Sequence, residues 1–171
     1  GRRQRQMCIR DSDFSDRVLQ PGDPVVVDIG GTLDTGYHSD STRTYVVPGA
    51  AASPEFQRAY QVVLEAQQAA AAAARPGMTA GELDAVARDI ITAAGFGNEF
   101  SHRLGHGIGL EIHEQPFIIA GSDLVLEEGM AFSIEPGVYV DGQFGVRIED
   151  IVTLTDTGAR SLNNAPKALE C

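Results

Sequence analysis

The sequence predicts an α+β fold with an antiparallel or mixed sheet, on three observations. Helix and strand signals are segregated along the chain, the strand-like runs are short and punctuated by turns, and two helical segments are amphipathic and capped. In chain order, PVVVDI (Pro24 to Ile29) reads as a buried strand with Val26 and Asp28 on one face. GGTLDTGY supplies a turn into a second strand, SDSTRTYVV, which separates Asp40, Thr42 and Thr44 from Ser41, Arg43 and Tyr45; the two strands are expected to form a hairpin. Ser53 as N-cap with Pro54 after it opens a helix through Ala74, with Phe56, Tyr60, Val63 and Leu64 at helical spacing; Pro76 and Gly77 end it. Thr79 and Glu82 form a capping box for a second helix, whose stripe Leu83, Val86, Ala87, Ile90 and Ala94 ends at Gly95. A Gly- and His-rich stretch follows, then strand-like runs at Phe117 to Ala120, Met130 to Glu135, Val138 to Val140 and Val146 to Leu154. Both helices are expected to cover one face of the sheet.

Composition narrows the function classes. The 171 residues carry 13 Lys or Arg against 24 Asp or Glu, a formal charge of −11, which argues against nucleic acid as a partner. With 43% apolar residues and a mean hydropathy of −0.10, the chain is expected to bury one core. No run approaches the roughly 20 apolar residues of a membrane span, and a soluble, cytoplasmic protein is the expectation. Cys8 and Cys171 supply neither a disulfide framework nor a zinc-type cluster. Residues 1–12, basic and irregular, read as a non-native leader like translated adapter DNA, and 13–171 as one partial catalytic domain. Asp11, Asp13 and Ser15 mimic the start of a calcium loop, but Asp16 and Gly22 occupy the positions that require Gly and Glu.

Asp28, Asp40, Glu135 and Glu149 each sit in or beside an apolar run, where an uncompensated carboxylate is costly. The run VRIEDIV puts Arg147 and Glu149 on one face, so a set of buried ion pairs accounts for these residues as well as a metal site does. The segment HRLGHGIGLEIHE adds His102, His106 and His113, interleaved with apolar residues that make it partly buried, and with glycines that permit close approach to a ligand. No Walker loop, GxSxG elbow or Cys nucleophile is present, which leaves metal-activated water as the strongest route to chemistry.

In order along the chain, VVVDIGGTLDTGYHSDSTRT, HRLGHGIGLEIHE, GMAFSIEPGVYV and GVRIEDIVTLT closely resemble the pita-bread metallopeptidases of family M24, in their Xaa-Pro dipeptidase and aminopeptidase P branch. The resemblance spans roughly Gly22 to Lys167. Twelve positions separate Asp28 from Asp40, one more than in many relatives, and the extra residue fits the GGTLDTG turn. The RIED form around Glu149 favours this branch over the methionine aminopeptidases, which remain an alternative exopeptidase reading. A catalytically inactive protein-binding relative is a second alternative; retention of every ligand position speaks against it, and equally against a metal-free creatinase-like hydrolase.

The resemblance implies a curved sheet covered by helices, here incomplete at the N-terminus, and poor solubility or stability for the fragment alone. It implies a dinuclear site with Asp28, Asp40, His106, Glu135 and Glu149 as ligands, Asp40 and Glu149 being shared. Four carboxylates offset two divalent cations, and hard oxygen ligation favours Mn2+, with Co2+, Fe2+ or Zn2+ as alternatives. By the same resemblance a metal-bridging hydroxide attacks the Xaa-Pro bond and Glu135 moves its proton. By the same resemblance His113 and His102 bind substrate and stabilise the tetrahedral intermediate as catalytic residues, while Arg147 and Tyr139 orient ligating carboxylates. The implied substrates are short proline-containing peptides, and the implied full-length state is a homodimer.

Overall fold

The computed structural model describes residues 16–169; the leader at 1–12, the start of the calcium-loop mimic (Asp11, Asp13 and Ser15) and both cysteines lie outside the described residues. Strand β1 (Pro24–Asp28) leads through a small arm, β2 (Gly31–Thr32) and β3 (His38–Ser39), into β4 (Thr42–Val46). β1 and β4 pair antiparallel as the expected hairpin, with Asp28 opposite Thr42 and Val26 opposite Thr44. Opposed residues of such a pair project from the same face, so the register brings the Asp28 and Thr42 side chains together. The three valines of β1 stay only half-buried, because this sheet has two strands and little covers it.

Helix α1 (Pro54–Ala73) starts where Ser53 accepts a hydrogen bond from the Phe56 amide, and α2 (Ala80–Ala93) starts at the complete Thr79 and Glu82 capping box. The expected caps satisfy amides that a helix start leaves without partners. On α1 the buried face is Phe56, Ala59, Tyr60, Val63, Ala66 and Ala70, whose small residues let α2 lie close. On α2 the buried line is Leu83, Ala87 and Ile91 together with Asp84, whereas the expected Val86 and Ile90 are partly buried at its margin. The face turns because Asp84 is satisfied inside: it accepts from Arg88 at 2.6 and 2.9 Å and from the Leu104 amide at 3.1 Å. Arg88 also donates to the carbonyls of Phe100 and His102. Helix α2 thereby fixes the approach to the next strand.

That strand, β5 (Gly105–Gly107), lies inside a five-stranded antiparallel sheet with β6 (Glu114–Ile118), β7 (Ala131–Ile134), β10 (Asp150–Thr155) and β11 (Gly158–Ser161). The order is β11–β10–β7–β5–β6. The remaining pair is the hairpin of β8 (Gly137–Val140) and β9 (Phe144–Arg147). All pairings are antiparallel, and the helices pack on these strands around Phe132, Ile134, Val138, Val146, Ile148 and Leu154. Among the described residues no helix is long and apolar enough to cross a membrane.

Two expectations change. The run Val146 to Leu154 is two strands: β9 ends at Arg147 opposite Gly137, and β10 begins at Asp150 opposite Ile134. Glu149 sits at the crossing between them, where its amide donates to the Thr42 carbonyl at 3.0 Å, so Arg147 and Glu149 do not share a strand face. The glycines of the His-rich segment also do a different job. A Cβ on Gly105 would stand 1.9 Å from the Ser133 carbonyl oxygen, and one on Gly107 would stand 2.2 Å from that of Gln115. Their close approach is to neighbouring strands rather than to a ligand, which is how so short and Gly-rich a strand fits mid-sheet.

Candidate metal centre

Each acidic candidate is placed by a strand end. Asp28 closes β1, Asp40 precedes β4 and accepts from the Ser41 amide at 3.0 Å, Glu135 follows β7, and Glu149 precedes β10. His106 is the middle residue of β5. One buried hydroxyl, that of Ser133, accepts from the His106 amide at 2.9 Å and donates to Glu135 Oε1 at 2.9 Å. A second, that of Thr42, lies 2.6 Å from Glu149 Oε2 and 3.1 Å from Asp28 Oδ1. These two hydroxyls were not singled out from the sequence, where Ser and Thr in strands carry no distinctive signal.

Ligand atoms of Asp40, His106 and Glu149 all lie within 4.8 Å of one another. His106 Nε2 is 3.3 Å from Glu135 Oε1 and 3.9 Å from Asp40 Oδ2. Asp28 stands at the margin, its side chain 35% exposed, joined to the group through Thr42. The sequence-based expectation of desolvation therefore holds for three carboxylates and not for Asp28.

Charge in this pocket is unbalanced. Burial, then repulsion from Asp28 and Glu135, pushes the Asp40 carboxyl up to about 7. Burial pushes Glu135 up to about 7 against the opposing Ser133 hydrogen bond, and burial with repulsion from Glu135 and Asp40 holds Glu149 well above the usual carboxylate range. His106 does not supply the missing positive charge, because burial drives its imidazole down to about 4 and leaves it neutral at neutral pH. Its Nδ1 lies 3.0 Å from the Gly107 carbonyl oxygen and must carry the proton to bond there, so Nε2 presents a lone pair to the oxygens of Glu135 and Asp40. A lone pair facing carboxylate oxygens needs either a proton or a cation between them, and the mixed imidazole and carboxylate donors suit a divalent metal. Fixing the Nδ1 proton on a main-chain carbonyl is the arrangement that aims a ligating imidazole.

Arg147 and Tyr139 form a row behind Asp28. Arg147 donates to Asp28 Oδ2 at 2.9 Å, to the Tyr139 hydroxyl at 2.8 Å and to Thr42 Oγ1 at 3.2 Å. The arginine expected as a partner for Glu149 is thus the partner of Asp28. His102 ends the row, with Nδ1 2.7 Å from the Arg103 carbonyl oxygen and Nε2 3.2 Å from the Tyr139 hydroxyl. Burial lowers its pKa, consistent with a neutral ring whose Nε2 accepts from Tyr139. Both its ring nitrogens are engaged within the protein. His113 instead lies edge-on to His106, ring centres 4.2 Å apart, beside the carboxylate cluster.

The profile of metallopeptidase family M24 matches residues 4–156. An Xaa-Pro dipeptidase from Lactobacillus helveticus is 54% identical over 155 residues, which make up 90% of this chain and 41% of that protein. The crystal structure of dipeptidase PepE from Mycobacterium ulcerans superposes with a TM-score of 0.86 at 56% identity, over 91% of this chain and 41% of that one. The X-Pro aminopeptidase structure from Thermotoga maritima MSB8 gives a TM-score of 0.87 at 40% identity, over 94% of this chain and 45% of that one. The chain thus spans 41–44% of the length of the curated dipeptidases it matches. The fold is the pita-bread α+β fold of these structures, held in part. On the profile match, and on relatives that cover nine-tenths of it, the chain belongs to metallopeptidase family M24.

Proposed function

We propose that the protein containing this chain is a metal-dependent exopeptidase that hydrolyses the Xaa-Pro bond of short peptides, and that Asp28, Asp40, His106, Glu135 and Glu149 hold two divalent cations, Mn2+ first. The observation that carries this reading is the His106 lone pair aimed at carboxylate oxygens 3.3 and 3.9 Å away in a pocket short of positive charge. Divalent ions bound there supply Lewis-acid activation of water and of the scissile carbonyl.

The chain's own residues do the rest. Glu135, 3.3 Å from His106 Nε2, takes a proton from the attacking water and returns it to the leaving amine. His113, next to His106, donates to the oxygen on which negative charge develops. Arg147, braced by the Tyr139 hydroxyl, holds Asp28 in place, and His102 supports Tyr139.

The test is elemental analysis of the folded protein after gel filtration, followed by assays with Ala-Pro and with longer Xaa-Pro peptides. Two ions per chain and release of proline from Ala-Pro are expected. A folded protein that binds no divalent metal would overturn the reading; cleavage confined to longer peptides would make it an aminopeptidase.

A further inference from the structure

On the side of β4 away from the carboxylates lies a buried ionic cluster that the proposed chemistry does not use. Arg43 is 5% exposed and Asp150 1%. The guanidinium employs all of its donors: Nη1 reaches the carbonyls of Thr42 at 2.8 Å and Glu149 at 2.6 Å, Nη2 reaches Asp150 Oδ1 at 2.7 Å and the Ala165 carbonyl at 2.9 Å, and Nε reaches the Pro166 carbonyl at 3.0 Å. Lys167 closes on the other oxygen of Asp150 at 2.5 Å and donates to Gln67 on α1 at 2.9 Å. Asn163 completes the set, giving its amide to the Asp40 carbonyl at 3.0 Å and accepting from the Ile151 amide at 2.6 Å.

Segment 163–167 therefore grips the main chain of two of the proposed ligands from behind: Asp40 directly through Asn163, and Glu149 through Arg43. These are the two carboxylates that the family resemblance makes common to both ions. A buried ion pair is a poor source of bulk stability, since apolar packing of equal volume does as well or better. What Arg43 provides that an apolar side chain cannot is a rigid planar fork fixing several carbonyls at once. Ligands shared by two ions need their main chain held to within a fraction of an ångström.

We infer that Arg43 and Asn163, with Asp150 as the counter-ion, are positioning residues of the metal centre, and that segment 163–167 is part of that centre. The inference rests on the proposed reading of Asp40 and Glu149 as ligands. Its test is a Co2+ titration of the whole protein, following the visible absorption of the bound ion, for the parent and for Arg43→Lys, Asn163→Ala and Thr79→Ala. Thr79→Ala removes the α2 cap, lowers stability and touches no site residue. Arg43→Lys keeps the charge but not the fork, and is expected to weaken Co2+ binding about 10-fold or more and to alter the spectrum. Asn163→Ala, at a half-buried position of that segment, is expected to do the same and carries the test alone should Arg43→Lys not fold. Thr79→Ala is expected to change neither readout. Parent-like affinity and spectrum in the variants, or an equal change in Thr79→Ala, would overturn the inference while leaving the metal centre standing. Absence of binding in the parent would instead overturn the reading of the centre itself.

Discussion

The Thr42 hydroxyl stands 2.6 Å from Glu149 Oε2 across 107 residues of sequence, at the one point where the main chains of β4 and the segment before β10 are bridged. The same oxygen is 3.1 Å from Asp28 and receives Arg147 at 3.2 Å. One small side chain thus couples two acidic residues, one at the end of β1 and one just before β10.

Thr42→Val keeps the shape and removes that coupling. It is expected to weaken Mn2+ binding about 10-fold, within the usual range for an outer partner of a ligand. Thr42→Ser should retain most of the affinity. Calorimetric titration with Mn2+ decides; equal affinity in Thr42→Val would remove the hydroxyl from the centre.

Asp40→Asn removes a charge from the middle of the cluster. Both metal loading and turnover are expected to be lost, and metal-free stability to rise slightly as repulsion among the carboxylates falls. Elemental analysis and Ala-Pro hydrolysis check this, and normal turnover would exclude Asp40 as a ligand.

His113→Ala should leave metal content near that of the parent while lowering kcat by about 100-fold, because a donor to the developing oxyanion contributes only in the transition state. Loss of metal instead would make His113 a ligand. Tyr139→Phe acts on Asp28 through Arg147 and is expected to affect metal affinity more than His113→Ala does.

The pH dependence of stability follows from the carboxylates. Asp40 and Glu135 titrate near 7 in the metal-free fold but near 3.8 and 4.5 in the unfolded chain, and Glu149 is raised as well. Between those limits the folded state holds protons that the unfolded state has released, so metal-free stability falls as pH rises from about 4 to about 7. His106, lowered from 6.5 to about 4, acts oppositely, favouring the unfolded state as pH drops below 6.5. His102, also lowered by burial, acts as His106 does, but three carboxyls outweigh two imidazoles and the net slope is downward. Metal takes the place of those protons, so its stabilisation grows with pH over the same window. Thermal unfolding from about pH 5 to about pH 8, in chelator and in Mn2+, should give diverging curves; parallel curves would detach these carboxylates from metal binding.

Gly105→Ala would drive a Cβ into the Ser133 carbonyl, 1.9 Å away, and Ser133 is the residue that holds both His106 and Glu135. A loss of about 3 kcal/mol or more is expected, at the upper end for overpacking because the obstacle is main chain. Denaturant unfolding measures it, and a parent-like midpoint would mean that β5 sits further from β7.

Local rules account for the helices, one hairpin and the acidic positions. The Ser53 and Thr79 caps, the amphipathic helices, the β1 and β4 hairpin and the acidic strand ends follow from residue type and short spacing, and the four linked motifs identify the family. The three-residue strand β5 was not legible, because two glycines in a strand have no propensity signal and are explained only by the neighbour they let in. Nor was the break at Ile148 and Glu149, since VRIEDIV alternates as one strand until pairing partners divide it. Only the tertiary structure decided that Arg147 answers Asp28, that both nitrogens of His102 are engaged by neighbours, and that Thr42, Ser133, Arg43 and Asn163 surround the centre. Most of these contacts join groups 27 to 123 residues apart. A hydrogen bond reports on distance in space, and no periodicity along the chain encodes which hydroxyl or amide a fold will carry to a given carboxylate.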